Sequence, residues 1–525
     1  MSSGPRFPLG VASGEPSTDA VSLWTAVEGA LGPIRWEVAT DASFERVVAA
    51  GEVERDPTPP TVNVRATGLE AGTRLRYRFA TDDGRGGLVR SAIGTTSTLP
   101  ASTGRFRVGL ASCARIVTAP FDPYRHLAGL DLDLIVHLGD YVYENPDPGH
   151  VPSGRCLHEH QYRERYRQYR GDPSLRAAHA SAPWVNVWDD HEVADDAWRH
   201  GGPAELDEVP VDWAERHEAA RRAFLDWLPQ GPSGDGPTDM DRRLRVGGLL
   251  DVVLVDARHA GRSAPVRSSG PALVDPADDR PILAPEQWDW LAGCVADAAA
   301  AGTWLVLCTP VQASPLHLAR LPDPRRRGRS TPLVNPGQWD GYPAEQRRLA
   351  RLLQPVAGRA LLCSGDLHGR FLTALGVEGG RAIPEVTVPS IASVPFAETV
   401  GRSLPIPVPA GALRRWLAHL NPHVAAMELT ERGSTWLDVT EERIDVVGLD
   451  ADGETTSTWR LVAGADRLRP VASRGPGARR ARGDVGPAAV AGRPHAKLRR
   501  WPPPPTDRPS GSASTSASRP RRWPS

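Results

Sequence analysis

Four short stretches of this 525-residue chain put chemically able side chains directly after apolar runs. They are Ser112-Cys113, Gly139-Asp140-Tyr141-Val142-Tyr143-Glu144, Asp189-Asp190-His191-Glu192 and Gly365-Asp366-Leu367-His368. Each residue alone has an ordinary reading. Asp140 could cap a helix, His191 could hydrogen-bond within a loop, and Cys113 could be one more buried apolar residue. Taken together they gather carboxylates, imidazoles, a thiol and a phenol. So many acids at one edge repel one another, and a cation relieves that repulsion best. The residue types therefore point to a metal site.

The elements that must position these groups are legible as apolar runs ending in polar turns. FRVGLASC (106–113), DLIVHLGDY (133–141), WVNVWDDHE (184–192), LLDVVLVDAR (249–258), TWLVLCTP (303–310) and ALLCSGDLH (360–368) share this form. Between several of them lie helical stretches such as WAERHEAARRAFLDWL (213–228) and APEQWDWLAGCVADAAAAG (284–302). Buried strands alternating with helices predict an α/β sheet covered on both faces. In such sheets ligands bind beyond the carboxyl ends of the strands, where the four stretches fall. Residues 383–393 and 434–447 read as further strands.

The N-terminal region differs. VSLWTAV (21–27) and IRWEVAT (34–40) alternate as half-buried strands do. In GLEAGTRLRYRFAT (68–81), Leu69, Gly72 and Tyr77 have the spacing of a tyrosine corner. Residues 5–100 are thus expected to form an all-β, fibronectin type III-like sandwich, followed by a catalytic domain over 104–465. Residues 467–525 carry 14 Lys/Arg and two acids, leaving 48 basic against 61 acidic residues in the first 466. The acidic body argues against a nucleic-acid groove across it. The Pro-, Arg- and Ser-rich stretch 466–525 has too few apolar residues to order and reads as a disordered basic tail. Five cysteines without a CxxC pair argue against a disulfide framework. No apolar run is long enough to span a membrane, and no signal peptide precedes the first strand. A cytoplasmic location is the expectation, or export if translation starts upstream. A monomer is the default.

The motifs also occur in a recognisable order. FPLGVASGEPSTDAVSLWT (7–25), FRVGLASC, HLGDYVYE (137–144), WVNVWDDHEVADDAW (184–198), QWDGYP (338–343), SGDLH (364–368) and NPHV (421–424) together resemble the PhoD-like alkaline phosphatase family of calcineurin-like metallophosphoesterases. The resemblance covers roughly residues 6–450. It implies a metallophosphoesterase-type sheet core flanked by helices, and a mixed centre of Fe³⁺ and Ca²⁺. Asp140 would bridge the metals, while Cys113, Tyr143 and His368 would complete the iron shell, a thiolate and a phenolate suiting a ferric ion. Asp190 and Asp366 would offer hard oxygen to calcium. His191, with Asp190 before it, would act beside the phosphate as proton or hydrogen-bond donor to the leaving oxygen.

The implied activity is hydrolysis of phosphate esters at alkaline pH, monoesters and also diesters, on a small or polymeric substrate. Two other readings are a phospholipase D-like phosphodiesterase and an inactive binding protein that uses the sandwich. Departures from the family pattern are Gly369-Arg370 after GDLH and the acid pair Asp195-Asp196. Arg258 and Arg262, with Asp195, are the candidate substrate contacts. YRERYRQYR (162–170) looks like a basic, aromatic nucleic-acid patch, but Tyr162, Tyr166 and Tyr169 follow the spacing of a buried helix face.

Overall fold

The computed structural model describes residues 7–471, apart from 30–31, 55–59, 203–210, 231–234, 267–269, 323–329 and 404–406. The expected tail lies outside the described residues from 472 onward.

Two large sheets carry the fold. The first has ten strands in the order Arg469–Pro470, Thr455–Val462, Arg443–Asp450, Gly433–Thr440, Arg105–Ala111, Leu134–Leu138, Trp184–Val187, Val11–Gly14, Ala20–Ala26 and Thr61–Thr67. Its middle is parallel: Leu134 sits opposite Val108, and Ile135 opposite Trp184. The second sheet has seven strands in the order Arg242–Val246, Leu250–Leu254, Trp304–Thr309, Ala360–Ser364, Ile383–Thr387, Arg370–Leu375 and Ala426–Glu428. Here too the inner pairings are parallel. Leu134–Leu138, Leu250–Leu254, Trp304–Thr309 and Ala360–Ser364 are buried at every position. That is why these segments read as unbroken apolar runs instead of alternating ones. One continuous core draws Val108, Val136 and Val185 from the first sheet and Val252, Val306 and Leu361 from the second.

The expected helices are present as Trp213–Trp227, capped by the Asp212 carboxylate on the Glu215 N–H, and Pro285–Ala301, stopped by Gly302 at φ +68°. YRERYRQYR lies within the helix Glu159–Arg170, with Tyr162, Tyr166 and Tyr169 all buried. This is the core-facing reading of that segment, and it leaves no exposed aromatic patch. No helix among the described residues is long and apolar enough to cross a membrane. The five cysteines are all free and buried.

The N-terminal strands are not a free-standing unit. Val47–Val53, Ile34–Ala39, Arg74–Asp82 and Leu88–Arg90 form their own sheet, with Gly94–Ser97 paired to Arg74–Asp82. Val11–Gly14, Ala20–Ala26 and Thr61–Thr67 instead extend the ten-stranded sheet, Gly14 pairing in parallel with Trp184. A shared core of Val11, Leu23, Val38, Leu75, Phe79 and their neighbours joins the two groups. The physical reason for the merger is that Trp184–Val187 and Val11–Gly14 would otherwise be edge strands with unpaired backbone groups. The tyrosine corner is not formed as expected. Tyr77 is buried, but its hydroxyl has no partner in the 68–72 turn. That turn is held by Gly72 N–H to the Leu99 carbonyl (3.1 Å) and by Thr98 Oγ1 to the Glu70 carbonyl (2.6 Å).

Candidate metal centre

The site forms where the carboxyl ends of the two sheets meet. Cys113 follows Arg105–Ala111, Asp140 follows Leu134–Leu138, Asp189 and Asp190 follow Trp184–Val187, and Asp366 follows Ala360–Ser364. Three of these turns are tight enough to force unusual backbone. Cys113 (φ +59°), Asp140 (+58°), Asp366 (+63°) and His368 (+55°) account for four of the seven non-glycine residues at positive φ among the described residues. Each such residue costs on the order of 1 kcal/mol. Strain gathered on four expected ligands marks the place where function overrides backbone preference.

Glycines make the approach possible. A Cβ on Gly139 (φ +98°) would lie 2.5 Å from Asp189 Cβ and 2.7 Å from Asp189 N. On Gly365 it would lie 2.2 Å from Ser112 Oγ. Gly139→Ala is therefore expected to lower stability by roughly 3 kcal/mol or more, through strain and overlap together. Urea denaturation checks this against Gly293→Ala, a site in the helix Pro285–Ala301 with open space around it. The second change should be neutral or slightly stabilising.

Three donor groups converge, each with ligand atoms within 4.8 Å of one another: Cys113, Asp140 and His368; Asp140, Asp190 and His191; and Asp140, Asp189, Asp190 and Asp366. Asp140 belongs to all three. Its Oδ2 accepts from the Tyr143 hydroxyl at 2.8 Å, and its Oδ1 is buried without a partner. An orphaned carboxylate oxygen at the crossing of three donor sets fits a cation. Two like charges at this spacing repel by roughly 3 kcal/mol at an effective dielectric near 20. The same crowding sets the proton affinities. Burial, then neighbouring acids, pushes Asp140 well above the carboxylate range. Burial raises Cys113 and Tyr143 likewise, with the Asp140 charge adding to both. Only a cation would make that thiol and phenol good anionic ligands.

The supporting contacts come largely from residues to which the sequence analysis gave no role. Glu192 accepts the backbone N–H groups of Asp140 (3.1 Å), Tyr141 (2.6 Å) and Asp189 (2.8 Å), locking two strand-end turns together. Glu144 accepts from His191 Nδ1 at 2.8 Å and from the Asp195 N–H at 3.0 Å. His368 Nδ1 donates to the Val394 carbonyl at 2.9 Å, which leaves Nε2 free to face Tyr143 (3.3 Å), Cys113 and Asp140. Ser393 reaches both the Tyr143 hydroxyl (2.7 Å) and the Cys113 carbonyl (2.9 Å). Gln338, in QWDGYP, donates to Asp366. Asp189, next to Asp190, joins the four-acid group. Glu144 and Glu192 lie within the strand-end stretches singled out in the sequence, but the groups they hold are brought to them only by the meeting of two turns. Ser393 had no signal at all.

The remaining candidates sit as follows. Asp190 accepts the N–H groups of His191 (3.0 Å) and Asp196 (2.6 Å). Burial opposes its charge, but Arg258, His191 and the Asp196 N–H bring it down to about 2. Burial also opposes the His191 imidazolium, yet Asp140, Glu144 and Asp190 outweigh it and hold the ring well above its ordinary value. His191 and Asp366 keep 13% and 19% of their side chains exposed, and Asp195 46%, so these three face the opening. Arg258 and Arg262 do not. Arg258 is buried and paired with Asp189, Asp190 (3.5 Å) and Asp366 (3.3 Å). Arg262 donates to the carbonyls of Ala257 (3.2 Å) and Gly337 (2.6 Å), with its guanidinium 4.9 Å from the Tyr342 ring centroid. Both guanidinium groups are turned inward onto these partners. The departure at Gly369-Arg370 has an internal cause. A Cβ on Gly369 would lie 3.1 Å from the Glu428 carbonyl oxygen. Arg370 braces one sheet against the other through Thr456 Oγ1 (2.8 Å), the Ser434 carbonyl (3.2 Å) and the Leu449 carbonyl (2.9 Å).

Comparison with known proteins agrees with this geometry. Residues 106–447 match the PhoD-like phosphatase family model, and residues 1–100 match the model of the PhoD-like phosphatase N-terminal domain. Alkaline phosphatase D of Bacillus subtilis (strain 168) is 31% identical over 403 residues, 71% of this chain and 66% of that relative. A solved structure of PhoD is similar with a TM-score of 0.75 at 26% identity, covering 90% of this chain and 93% of that one. The purple acid phosphatase PPD1 from yellow lupin (Lupinus luteus) seeds shares the fold, with a TM-score of 0.55 at 11% identity over 86% of this chain and 74% of that one. With its α/β core and its crossing donor sets, the chain belongs to the PhoD-like phosphatase family.

Proposed function

We propose that this chain hydrolyses phosphate esters at alkaline pH, monoesters and also diesters, with Fe³⁺ and Ca²⁺ as resident ions. The observation that carries this reading is Asp140, strained, buried, shared by three donor groups and left with an unpartnered oxygen. Cys113, Tyr143 and His368 with Asp140 would hold the iron. Asp190 and Asp366, with Asp189 at hand, would hold calcium. Bound ions supply Lewis-acid polarisation of the phosphoryl group and a low pKa for the attacking water.

The chain's own groups do the rest. His191 is oriented by Glu144 through Nδ1, so Nε2 faces the opening. From there the imidazolium donates a proton or hydrogen bond to the leaving oxygen. Glu192 and the Ser393 loop hold the ligands in place before substrate arrives, so little reorganisation is needed. The region over 5–100, two sheets sharing one core, is read as a fibronectin type III-like module, and 104–465 as the catalytic domain.

The test is metal content read beside the visible spectrum and ester hydrolysis. About one iron per chain and a phenolate or thiolate charge-transfer band are expected. Tyr143→Phe should shift or remove the phenolate part of that band while leaving the fold intact. Purified protein loaded with iron and calcium that hydrolyses none of several phosphomonoesters and diesters would overturn the reading.

A further inference from the structure

The turn after Trp184–Val187 runs into two acids, and the first of them, Asp195, has no task in the metal centre. It lies outside the three donor groups. Its side chain is 46% exposed, and among the described residues no group donates a hydrogen bond to its carboxylate. Its position is fixed all the same. The buried Glu144 carboxylate accepts the Asp195 N–H through one oxygen (3.0 Å) and His191 Nδ1 through the other (2.8 Å). One anion thus sets both the imidazole and the Asp195 backbone. The result is an Asp195 oxygen 3.7 Å from His191 Nε2. That is too long for a hydrogen bond, so the carboxylate stands beside the proton without engaging it.

The neighbouring cations are committed elsewhere. Arg258 is paired with Asp189, Asp190 and Asp366, and Arg262 with backbone carbonyls. Arg155 reaches Glu144 (3.4 Å) and Asn145 Oδ1 (3.1 Å). Burial raises the proton affinity of Asp195, and the His191 charge offsets part of that. At alkaline pH the group is an anion. With His191 Nε2 donating to the leaving oxygen at an ordinary distance of about 3 Å, the Asp195 oxygen lies no more than about 7 Å from that atom. A phosphomonoester arrives there with about two negative charges, and a diester with one. At about 7 Å one additional charge is disfavoured by roughly three- to fifty-fold, the span between a watery and a partly buried setting.

We propose that Asp195 is a specificity-determining residue that selects substrates by charge, penalising the dianionic monoester relative to the monoanionic diester. The inference rests on the phosphoesterase reading above and adds to it a residue that acts through its field alone, touching neither ion nor reacting atom. It gives the acid at position 195, one of the departures from the family pattern, a chemical consequence.

The probes are 4-nitrophenyl phosphate and methyl 4-nitrophenyl phosphate, which share a leaving group and differ by one charge. Full-length protein loaded with iron and calcium is assayed at alkaline pH. Asp195→Asn should raise the monoester-to-diester ratio of kcat/KM by roughly three- to fifty-fold, with iron and calcium content unchanged. Asp195→Glu, which keeps the charge, should hold the wild-type ratio. Equilibrium dialysis supplies a readout apart from turnover. Inorganic phosphate should bind Asp195→Asn more tightly than wild type, and dimethyl phosphate should gain by a smaller factor. An unchanged ratio in active Asp195→Asn would overturn the proposal. So would loss of calcium from that variant, which would make Asp195 an ion ligand instead. If the wild type hydrolyses neither ester, the proposed function fails, and the binding of phosphate against dimethyl phosphate still decides whether Asp195 discriminates by charge.

Discussion

Asp140→Asn is expected to lose bound metal and to slow ester hydrolysis by about a thousand-fold or more, since every donor group at the site passes through this carboxylate. The same substitution should make the metal-free protein more stable. Asp140 is raised because burial and then like-charged neighbours disfavour its ionised form, with burial the larger effect. Burial likewise pushes Asp189 and Glu192 up to about 8, and Asp196 up to about 7. The sign follows from linkage. A carboxyl whose folded pKa is raised holds its proton when the unfolded chain has already released it, so stability falls as pH rises above the ordinary carboxylate range. Chelator-treated wild type should therefore weaken between about pH 4 and 8. Asp140→Asn should gain on it progressively over that interval. Elemental analysis, steady-state rates and urea denaturation at pH 5 and 8 check the three parts. A variant that keeps iron and turnover would remove Asp140 from the centre of the site.

The second large effect is expected at His191. His191→Gln should lower kcat by roughly a hundred- to ten-thousand-fold, the range of general acid catalysis, with a smaller change in KM. Metal content should stay near wild type if the ring serves the leaving oxygen and not an ion. Glu144 supplies the control, because it touches His191 Nδ1 and lies outside the three donor groups. Its charge helps keep the imidazole protonated, although burial alone would favour the neutral ring. Glu144→Gln should then move the alkaline limb of the kcat profile to lower pH, since the proton to be donated is lost sooner. A pH–rate profile with an unmoved limb would separate Glu144 from the acid, and unchanged kcat in His191→Gln would end the assignment.

Much of this molecule was settled by residue order alone. Apolar runs, each ending in Gly, Asp or Cys, gave the strands, a sheet covered on both faces and the edge at which chemistry collects, because an apolar run and its strand-end position are local properties of the chain. Asp140, Tyr143, Asp190, His191, Asp366 and His368 were legible for that reason. So was the buried face of Tyr162, Tyr166 and Tyr169, set by helical spacing. Tertiary structure alone decided the rest. Ser393 meets Cys113 across 280 residues and Tyr143 across 250, and no local pattern encodes either contact. Arg258 looked like an anion contact by its position after a strand. It became a partner of Asp189, Asp190 and Asp366 only because two sheets converge over it. The N-terminal strands looked like a separate sandwich, yet three of them complete the main sheet, since an open edge on each side leaves backbone groups that pairing satisfies. Local chemistry chose the candidate ligands. Long-range packing chose what holds them.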